Sequence, residues 1–174
     1  YHVTLKELSS QIQAFEDSRT NNVSESVGEG LTRALYATYI SYLPKERFVY
    51  DLTKHSDERG VFVEFLKTKN SGQFAYLTAH PGVTRGGHYH HTKTEKFLVI
   101  SGTARFNFRN IDTNETYELI SSEVKPQIIE TAPGWTHEVT NIGEKQLVTM
   151  LWASEIYDSN RSDTLACEVK YEKN

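Results

Sequence analysis

The first part of the chain has the hydrophobic spacing of two amphipathic helices. Apolar side chains recur three or four positions apart in a first stripe, which consists of Leu5, Leu8, Ile12 and Phe15. A second stripe has the same spacing and consists of Leu31, Leu35, Tyr39, Ile40 and Leu43. Such spacing places each set on one face of a helix. Thr4 and Glu7 form a potential capping box, Pro44 stops the second helix, and the polar segment 17–30 is predicted to be a loop.

From Phe48 onward the pattern changes to short runs of β-branched and aromatic residues separated by turn residues. Eight such runs predict strands, at residues 61–66, 74–78, 96–100, 104–108, 116–120, 127–130, 137–140 and 146–152. Many short strands at roughly ten-residue spacing are typical of an antiparallel sandwich or barrel. The sequence therefore predicts a mainly β barrel over residues 45–174, preceded by a helical segment over residues 1–44. That segment either packs on the barrel or is the end of an upstream domain.

Composition and charge exclude several classes of protein. The 174 residues are 24 % charged and 37 % hydrophobic, which is ordinary for a folded domain. A net charge of −4 offers no basic field for nucleic acid or an anionic membrane. No apolar run approaches the roughly 18 residues that cross a bilayer, and no basic-then-apolar leader precedes the domain. We therefore expect a cytoplasmic protein, and the single Cys167 fits a reducing compartment.

Histidines cluster in one segment, since four of the seven lie between residues 80 and 91. On a strand, His88 and His90 point to the same face, whereas Tyr89 and His91 point to the other. Two imidazoles on one face, two positions apart, can share one metal ion.

Two further residues could complete such a metal site. Glu95 follows a short polar turn and can supply a carboxylate oxygen, and His137 follows the tight turn at Pro133 and Gly134. Three imidazole nitrogens and one carboxylate oxygen suit zinc, iron, manganese, nickel or copper. The expected ligands are His88, His90, Glu95 and His137.

The spacing of these residues resembles that of the cupin family. From Gly82 to Gly102 the chain reads G-x5-H-x-H-x4-E-x6-G, which is similar to the first cupin motif. The second motif is matched by G-x2-H-x3-N from Gly134 to Asn141, with Ala132 where the family usually has proline. The resemblance implies a double-stranded β-helix barrel, but it does not specify a reaction.

Two segments resemble cupin epimerases that act on nucleotide-linked 4-keto-6-deoxy sugars. They are D-x-R-G-x-F-x-E from Asp57 to Glu64 and R-G-x-H-Y from Arg85 to Tyr89. The resemblance implies that arginines bind the phosphates of the sugar nucleotide and that His88 is the general base. The residues expected to bind substrate are Arg59, Glu64 and Arg85. The segment 154–158 resembles the strand end that carries the family's acid, which nominates Tyr157.

Glu95 departs from the epimerase pattern, because that family has at this position a lysine that stabilises an enolate. A carboxylate cannot do so, but it can bind a divalent metal that does. The resemblance therefore implies a metal-dependent variant, with zinc as the expected ion. If His88 is a ligand, the base is His91, Tyr89 or another residue at the barrel mouth. If His88 is free, three ligands remain for the metal.

The helical segment, with Leu-Tyr-Ala-Thr-Tyr-Ile-Ser-Tyr-Leu over 35–43, resembles a part of bifunctional capsular-polysaccharide enzymes. In that family a short-chain dehydrogenase-like domain precedes a metal-binding cupin. The resemblance implies that the cupin epimerises C3 of a UDP-linked 4-keto-6-deoxy N-acetylhexosamine, a precursor of N-acetyl-L-fucosamine, and that the reductase uses NADPH at C4. No G-x-G-x-x-G or Y-x3-K motif occurs in this helical segment, so we expect an upstream reductase domain and no NADP site in these residues. We also expect a homodimer, because such barrels commonly share edge strands and the helices need a surface to cover.

Two other functions share the same ligand pattern. An iron cupin dioxygenase would consume oxygen after reconstitution with iron, and a sugar-binding or assembly cupin would have no turnover. An epimerase would instead introduce solvent deuterium beside the ketone. A Glu95→Ala variant that lost metal but kept epimerisation would show that the metal is structural.

Overall fold

The computed structural model describes residues 1–170, which begin with two helices. Helix α1 spans Leu5–Asn21 and helix α2 spans Gly30–Ser41. The predicted capping box is present, because the Glu7 N–H donates to Thr4 Oγ1 at 3.2 Å and the Thr4 N–H donates to Glu7 Oε2 at 2.7 Å. The predicted loop boundary at residue 17 is wrong. The helix continues until Asn22, whose left-handed conformation at φ 61° ends it.

The rest of the described chain forms two sheets of short strands. The twelve strands in residues 1–170 are β1 Val23–Ser24, β2 His55–Asp57, β3 Gly60–Thr68, β4 Gly72–Ala79, β5 Thr84–Tyr89, β6 Glu95–Ser101, β7 Thr103–Asn110, β8 Thr116–Ser122, β9 Ile128–Thr131, β10 Trp135–Asn141, β11 Leu147–Ala153 and β12 Leu165–Ala166. One sheet has the order β1-β3-β4-β11-β6-β9, with β2 paired to β3, and the other has the order β12-β5-β10-β7-β8. All eight predicted strands are confirmed, as is the mainly β barrel with a helical extension.

The hydrophobic core lies between the two sheets. Strict alternation along β6 turns Phe97 and Val99 inward, and leaves Lys96 and Ile100 exposed. The cluster is completed by inward residues of β4, β7, β9, β10 and β11, which include Leu77, Phe106, Phe108, Ile129, Val139, Leu147 and Leu151. Polar side chains replace apolar ones at one end of this core, and that end forms the candidate site.

Strand pairing joins the helical segment to the barrel. Strand β1 pairs in parallel with β3, and Phe15 is buried against Tyr36 and Tyr39 at ring distances of 5.1 and 5.8 Å. In residues 1–170, α2 contributes no buried side chain, and Leu5 and Tyr42 are 86 % and 84 % exposed. None of the helices in this described part is long and apolar enough to cross a membrane.

Candidate metal centre

The structure brings the four expected ligand residues together at one end of the core. Strand β5 carries His88 and leads into His90, and the neighbouring strand β10 places His137 opposite His88. Glu95 is the first residue of β6 in the facing sheet. One ligand atom from each of the four side chains lies within 4.8 Å of the others.

Hydrogen bonds to the backbone set the orientation of two imidazole rings. The Nδ1 atom of His90 is hydrogen-bonded to the carbonyl oxygen of Asp163, and that of His137 lies 3.3 Å from the Trp135 carbonyl. A carbonyl oxygen only accepts, so in the neutral rings Nδ1 carries the proton and Nε2 presents a lone pair. Backbone or carboxylate partners of this kind commonly orient histidine ligands of metals.

The two lone pairs converge on a carboxylate oxygen. The Nε2 atoms of His90 and His137 lie 3.3 and 3.2 Å from Glu95 Oε2, and the His90 Nε2 atom is buried with no hydrogen-bond partner within residues 1–170. Electron-rich atoms held this closely away from water repel one another unless a cation lies between them. The donor set and its geometry therefore fit a divalent metal ion.

The electrostatics favour the protonation states that a metal requires. Burial acts to raise the pKa of Glu95, but the interaction of its carboxylate with His137 and His90 outweighs burial and holds that pKa below its ordinary value of 4.5. Burial, together with the charge of His137, lowers the pKa of His88 to about 4. At neutral pH the carboxylate is thus ionised and the His88 ring is neutral, as metal ligands must be.

A cavity of about 740 Å³ opens onto these residues. Such a volume accommodates a small-molecule ligand. Apolar side chains from both sheets, including Phe62, Phe97 and Phe106, line part of its wall. The cavity therefore has an apolar wall and a polar end where the four residues lie.

The residues expected to bind substrate also line this cavity. Arg59 donates to Asp57 Oδ2 at 2.6 Å, and Arg85, 14 % exposed, lies 3.7 Å from Asp57 Oδ1. The hydrogen bond from the Arg59 side chain lowers the pKa of Asp57 to about 2. Glu64 pairs with Lys67 at 3.0 Å. The guanidinium groups thus share one carboxylate at the cavity wall.

The two candidates for proton transfer outside the ligand set lie in different places. Tyr157 lines the cavity, is 54 % exposed, and is fixed by a hydrogen bond from its N–H to Gln73 Oε1 at 3.0 Å. His91 is exposed and stacks its ring edge against Tyr89 at 5.3 Å. Neither His91 nor Tyr89 lines the cavity, so their placement does not support a role for either of them as the base.

Two residues that the sequence did not indicate are built into the site. Lys93 is only 8 % exposed, and its Nζ atom lies 2.9 Å from Thr164 Oγ1 and 3.7 Å from Glu95 Oε1. The Asp163 carboxylate accepts the N–H groups of residues 91–93, at 2.8, 2.8 and 2.9 Å. Lys93 lies inside the first motif, but Asp163 lies some 70 residues away and has no local signal.

A family model described as the polysaccharide biosynthesis C-terminal domain matches residues 55–165. Among curated proteins, the chain is 57 % identical over 169 residues to a UDP-2-acetamido-2,6-beta-L-arabino-hexul-4-ose reductase of Pseudomonas aeruginosa. That match covers 97 % of this chain and 45 % of the reductase. SpsL, a spore coat polysaccharide biosynthesis protein of Bacillus subtilis, is 25 % identical over 125 residues, covering 66 % of this chain and 83 % of SpsL.

Solved structures give a consistent result. CapF, a capsular polysaccharide assembling protein of Staphylococcus aureus, superposes with a TM-score of 0.93 at 38 % identity, over 97 % of this chain and 46 % of CapF. The chain thus spans about half the length of CapF and of the Pseudomonas reductase. Oxalate decarboxylase of Bacillus subtilis, with a TM-score of 0.56 at 18 % identity over 66 % of this chain and 30 % of the decarboxylase, shares the cupin fold alone.

Proposed function

Because this chain belongs to the family of polysaccharide biosynthesis C-terminal domains, we propose that it is the epimerase domain of a sugar-nucleotide enzyme of capsular polysaccharide biosynthesis. Its substrate would be a UDP-linked 4-keto-6-deoxy N-acetylhexosamine, inverted at C3 on the route to UDP-N-acetyl-L-fucosamine. One observation carries the proposal. Three histidines and a glutamate converge at the end of a cavity that also contains two arginines.

The relatives support this class of substrate. The Pseudomonas protein is named for a UDP-linked hexul-4-ose, which is a sugar nucleotide with a ketone at C4. CapF is described as assembling capsular polysaccharide, and SpsL as contributing to spore coat polysaccharide. A ketone at C4 acidifies the hydrogen on C3, which is the hydrogen that a C3 epimerase must remove.

We propose that the four clustered side chains hold a divalent metal, with zinc as the expected ion. A metal in this position would supply a Lewis acid for the ketone oxygen. Arg59 and Arg85 would bind the diphosphate, because guanidinium groups match phosphate oxygens in geometry and charge. Asp57 pairs with both arginines, and the phosphates would replace it as their partner when the substrate binds. Glu64 lines the cavity and would contact the sugar.

Inversion of C3 requires one group that removes a proton and a second group that returns one to the opposite face. Tyr157 lies at the cavity with an exposed side chain, and we assign it the role of acid. His88 is one of the four clustered side chains and also the residue that resembles the family's base. We assign it to the metal, which leaves the base to another cavity group.

The test is the exchange of solvent deuterium into the sugar. The metal-loaded protein, incubated in D2O with the UDP-linked 4-keto sugar, should incorporate deuterium at C3, as followed by NMR. Glu95→Gln should weaken metal binding strongly and abolish exchange, whereas Glu130→Gln, which alters an exposed ion pair on the adjacent strand, should change neither. Turnover of the substrate without exchange at C3 would refute the proposal.

We place the NADPH-dependent reductase outside residues 1–174, with the helical segment 1–44 packing against it. The exposed apolar side chains of that segment, among them Leu5, Ile12 and Tyr42, support this arrangement. We further propose a cytoplasmic homodimer. Light scattering of the full-length protein tests the dimer, and an assay of NADPH oxidation on the two halves tests the division of labour.

A further inference from the structure

A buried lysine lies beside the candidate metal centre. Lys93 occupies the turn between β5 and β6, is 8 % exposed, and lines the same cavity as the four candidate ligands. Removing an ammonium group from water is costly, so lysines are seldom buried without a partner or a function. Lys93 has two partners, Thr164 Oγ1 at 2.9 Å and Glu95 Oε1 at 3.7 Å.

The two oxygens of Glu95 have different environments. Oε2 lies 3.3 and 3.2 Å from the imidazole nitrogens of His90 and His137, whereas Oε1 is the oxygen that Lys93 approaches. The ammonium group therefore does not occupy the place between the ligand atoms, and it need not leave when a metal binds. A single carboxylate charge would then face both an ammonium group and a divalent ion. With neutral imidazoles the site has an excess of positive charge, which favours an anionic oxygen in the cavity.

The ammonium group has donor capacity beyond these contacts. It carries three N–H bonds, of which one donates to Thr164 Oγ1 at 2.9 Å, while Glu95 Oε1 at 3.7 Å lies beyond hydrogen-bond distance. Lys93 lines the same cavity as His88, the group that resembles the family's base.

We propose that Lys93 is a catalytic residue that donates a hydrogen bond to the ketone oxygen of the bound sugar. This inference rests on the proposed epimerisation. When the C3–H bond breaks, its electron pair forms the carbon–carbon double bond of an enolate and the carbonyl π pair moves to the oxygen. The proton goes to the base, and a proton delivered to the opposite face restores the ketone. Lys93 keeps its own protons and stabilises the negative oxygen, and the step needs no oxidant or reductant.

Thr164 is a positioning residue in this scheme. It follows Asp163, whose carboxylate accepts the backbone N–H of Lys93 at 2.9 Å. The segment thus holds both the backbone and the side-chain end of Lys93. Two fixed points reduce the freedom of a long side chain, so the ammonium group is held in place before substrate arrives.

Lys93→Met tests the proposal, because it removes the charge and retains an unbranched apolar side chain. Removing a donor to a developing oxyanion lowers kcat by about 100- to 1000-fold, and we expect a loss of that size in deuterium exchange with little change in KM. Zinc affinity, measured by competition with a chromophoric chelator, should stay the same or rise, since a neighbouring positive charge has gone. Lys96→Met, an exposed lysine of β6, should match the wild type in both assays.

The outcomes separate this inference from the proposed function. If the wild-type protein exchanges deuterium and Lys93→Met does so at the same rate, Lys93 has no catalytic role. Weaker zinc binding in Lys93→Met, in proportion to the lost exchange, would likewise overturn the inference and make the residue part of the metal scaffold. If Lys93→Met does not fold, Lys93→Gln, which loses the charge but keeps a neutral N–H donor, should show a smaller drop in kcat at unchanged zinc affinity, and an unchanged kcat would overturn the inference. No exchange by the wild-type protein would instead refute the epimerase proposal itself.

Discussion

Replacing Asp163 by alanine should weaken metal binding at the candidate centre, although Asp163 is not one of the expected ligands. Its carboxylate accepts the N–H groups of residues 91–93 and the Thr92 hydroxyl, the last at 3.0 Å. These residues connect two expected ligands, His90 and Glu95. The carbonyl of Asp163 additionally holds the Nδ1 atom of His90. Asp163→Ala removes the four hydrogen bonds of the side chain, and we expect weaker metal binding as the result.

The size of the effect follows from those hydrogen bonds. A typical hydrogen bond contributes about 0.5–1.5 kcal/mol, and water can replace part of each bond because His91 and Thr92 are exposed. Four bonds at the lower limit give about 2 kcal/mol for holding the loop. If that energy is lost from metal binding, the zinc affinity falls by about 30-fold. Loss of an outer partner of a metal ligand commonly costs about 10- to 100-fold, which agrees with this figure.

Zinc competition with a chromophoric chelator measures the affinity, and hydrogen exchange measures the protection of the three backbone amides. Asp158→Ala is the matched control, because Asp158 caps a turn at Asn160 in the same segment and pairs with the exposed Arg161. Asp163→Asn, which keeps one acceptor oxygen, should give an intermediate affinity. Wild-type affinity and unchanged protection of amides 91–93 in Asp163→Ala would refute this account of the site.

Three further predictions concern single side chains. Glu95→Gln should weaken zinc binding by about 100-fold or more, if four ligands share the roughly 10–16 kcal/mol typical of a structural zinc site. His88→Ala should lower zinc affinity as well as deuterium exchange, whereas loss of exchange alone would identify His88 as the base. A side-chain hydrogen bond from Lys145 and the N–H of Gly102 lower the pKa of Glu123 from 4.5 to about 2, so its stabilising effect is present above pH 4.5 and lost as the pH falls through 2. Thermal denaturation should therefore show Glu123→Gln less stable than the wild type at pH 7, with the difference shrinking towards pH 2.

The fold was predictable because most of its determinants are local. The capping box at Thr4 needs only a partner three residues away, and the inward and outward alternation of β6 is visible in the order of its side chains. The end of α1 was placed too early because a polar sequence fits an exposed helical turn as well as a loop. The position of Asn22, and not polarity, decides where that helix stops.

The candidate site was predictable only in part. Spacing along the chain identified the four clustered residues, and strand alternation placed His91 and Tyr89 on the face opposite His88. Lys93 was not predicted because it lies in a turn, where the alternation of side chains between two faces no longer applies. Asp163 was not predicted because its contact with residues 91–93 depends on the path of the chain after β11, where it covers the loop between β5 and β6. No periodicity in the sequence indicates that path.

The placement of charge in the cavity separates binding from catalysis. Arg59, with half of its side chain exposed, pairs with Asp57 where solvent weakens the interaction. When the substrate binds, Arg59 would pair with a phosphate in place of the Asp57 carboxylate. That contact would add affinity through a part of the substrate that does not react. Lys93 and Glu95 are buried in the cavity that Phe97 also lines, where charges act more strongly on a developing oxyanion. Loss of an arginine should therefore appear mainly in KM and loss of Lys93 mainly in kcat, because only the buried charge meets an oxygen whose own charge changes during the reaction.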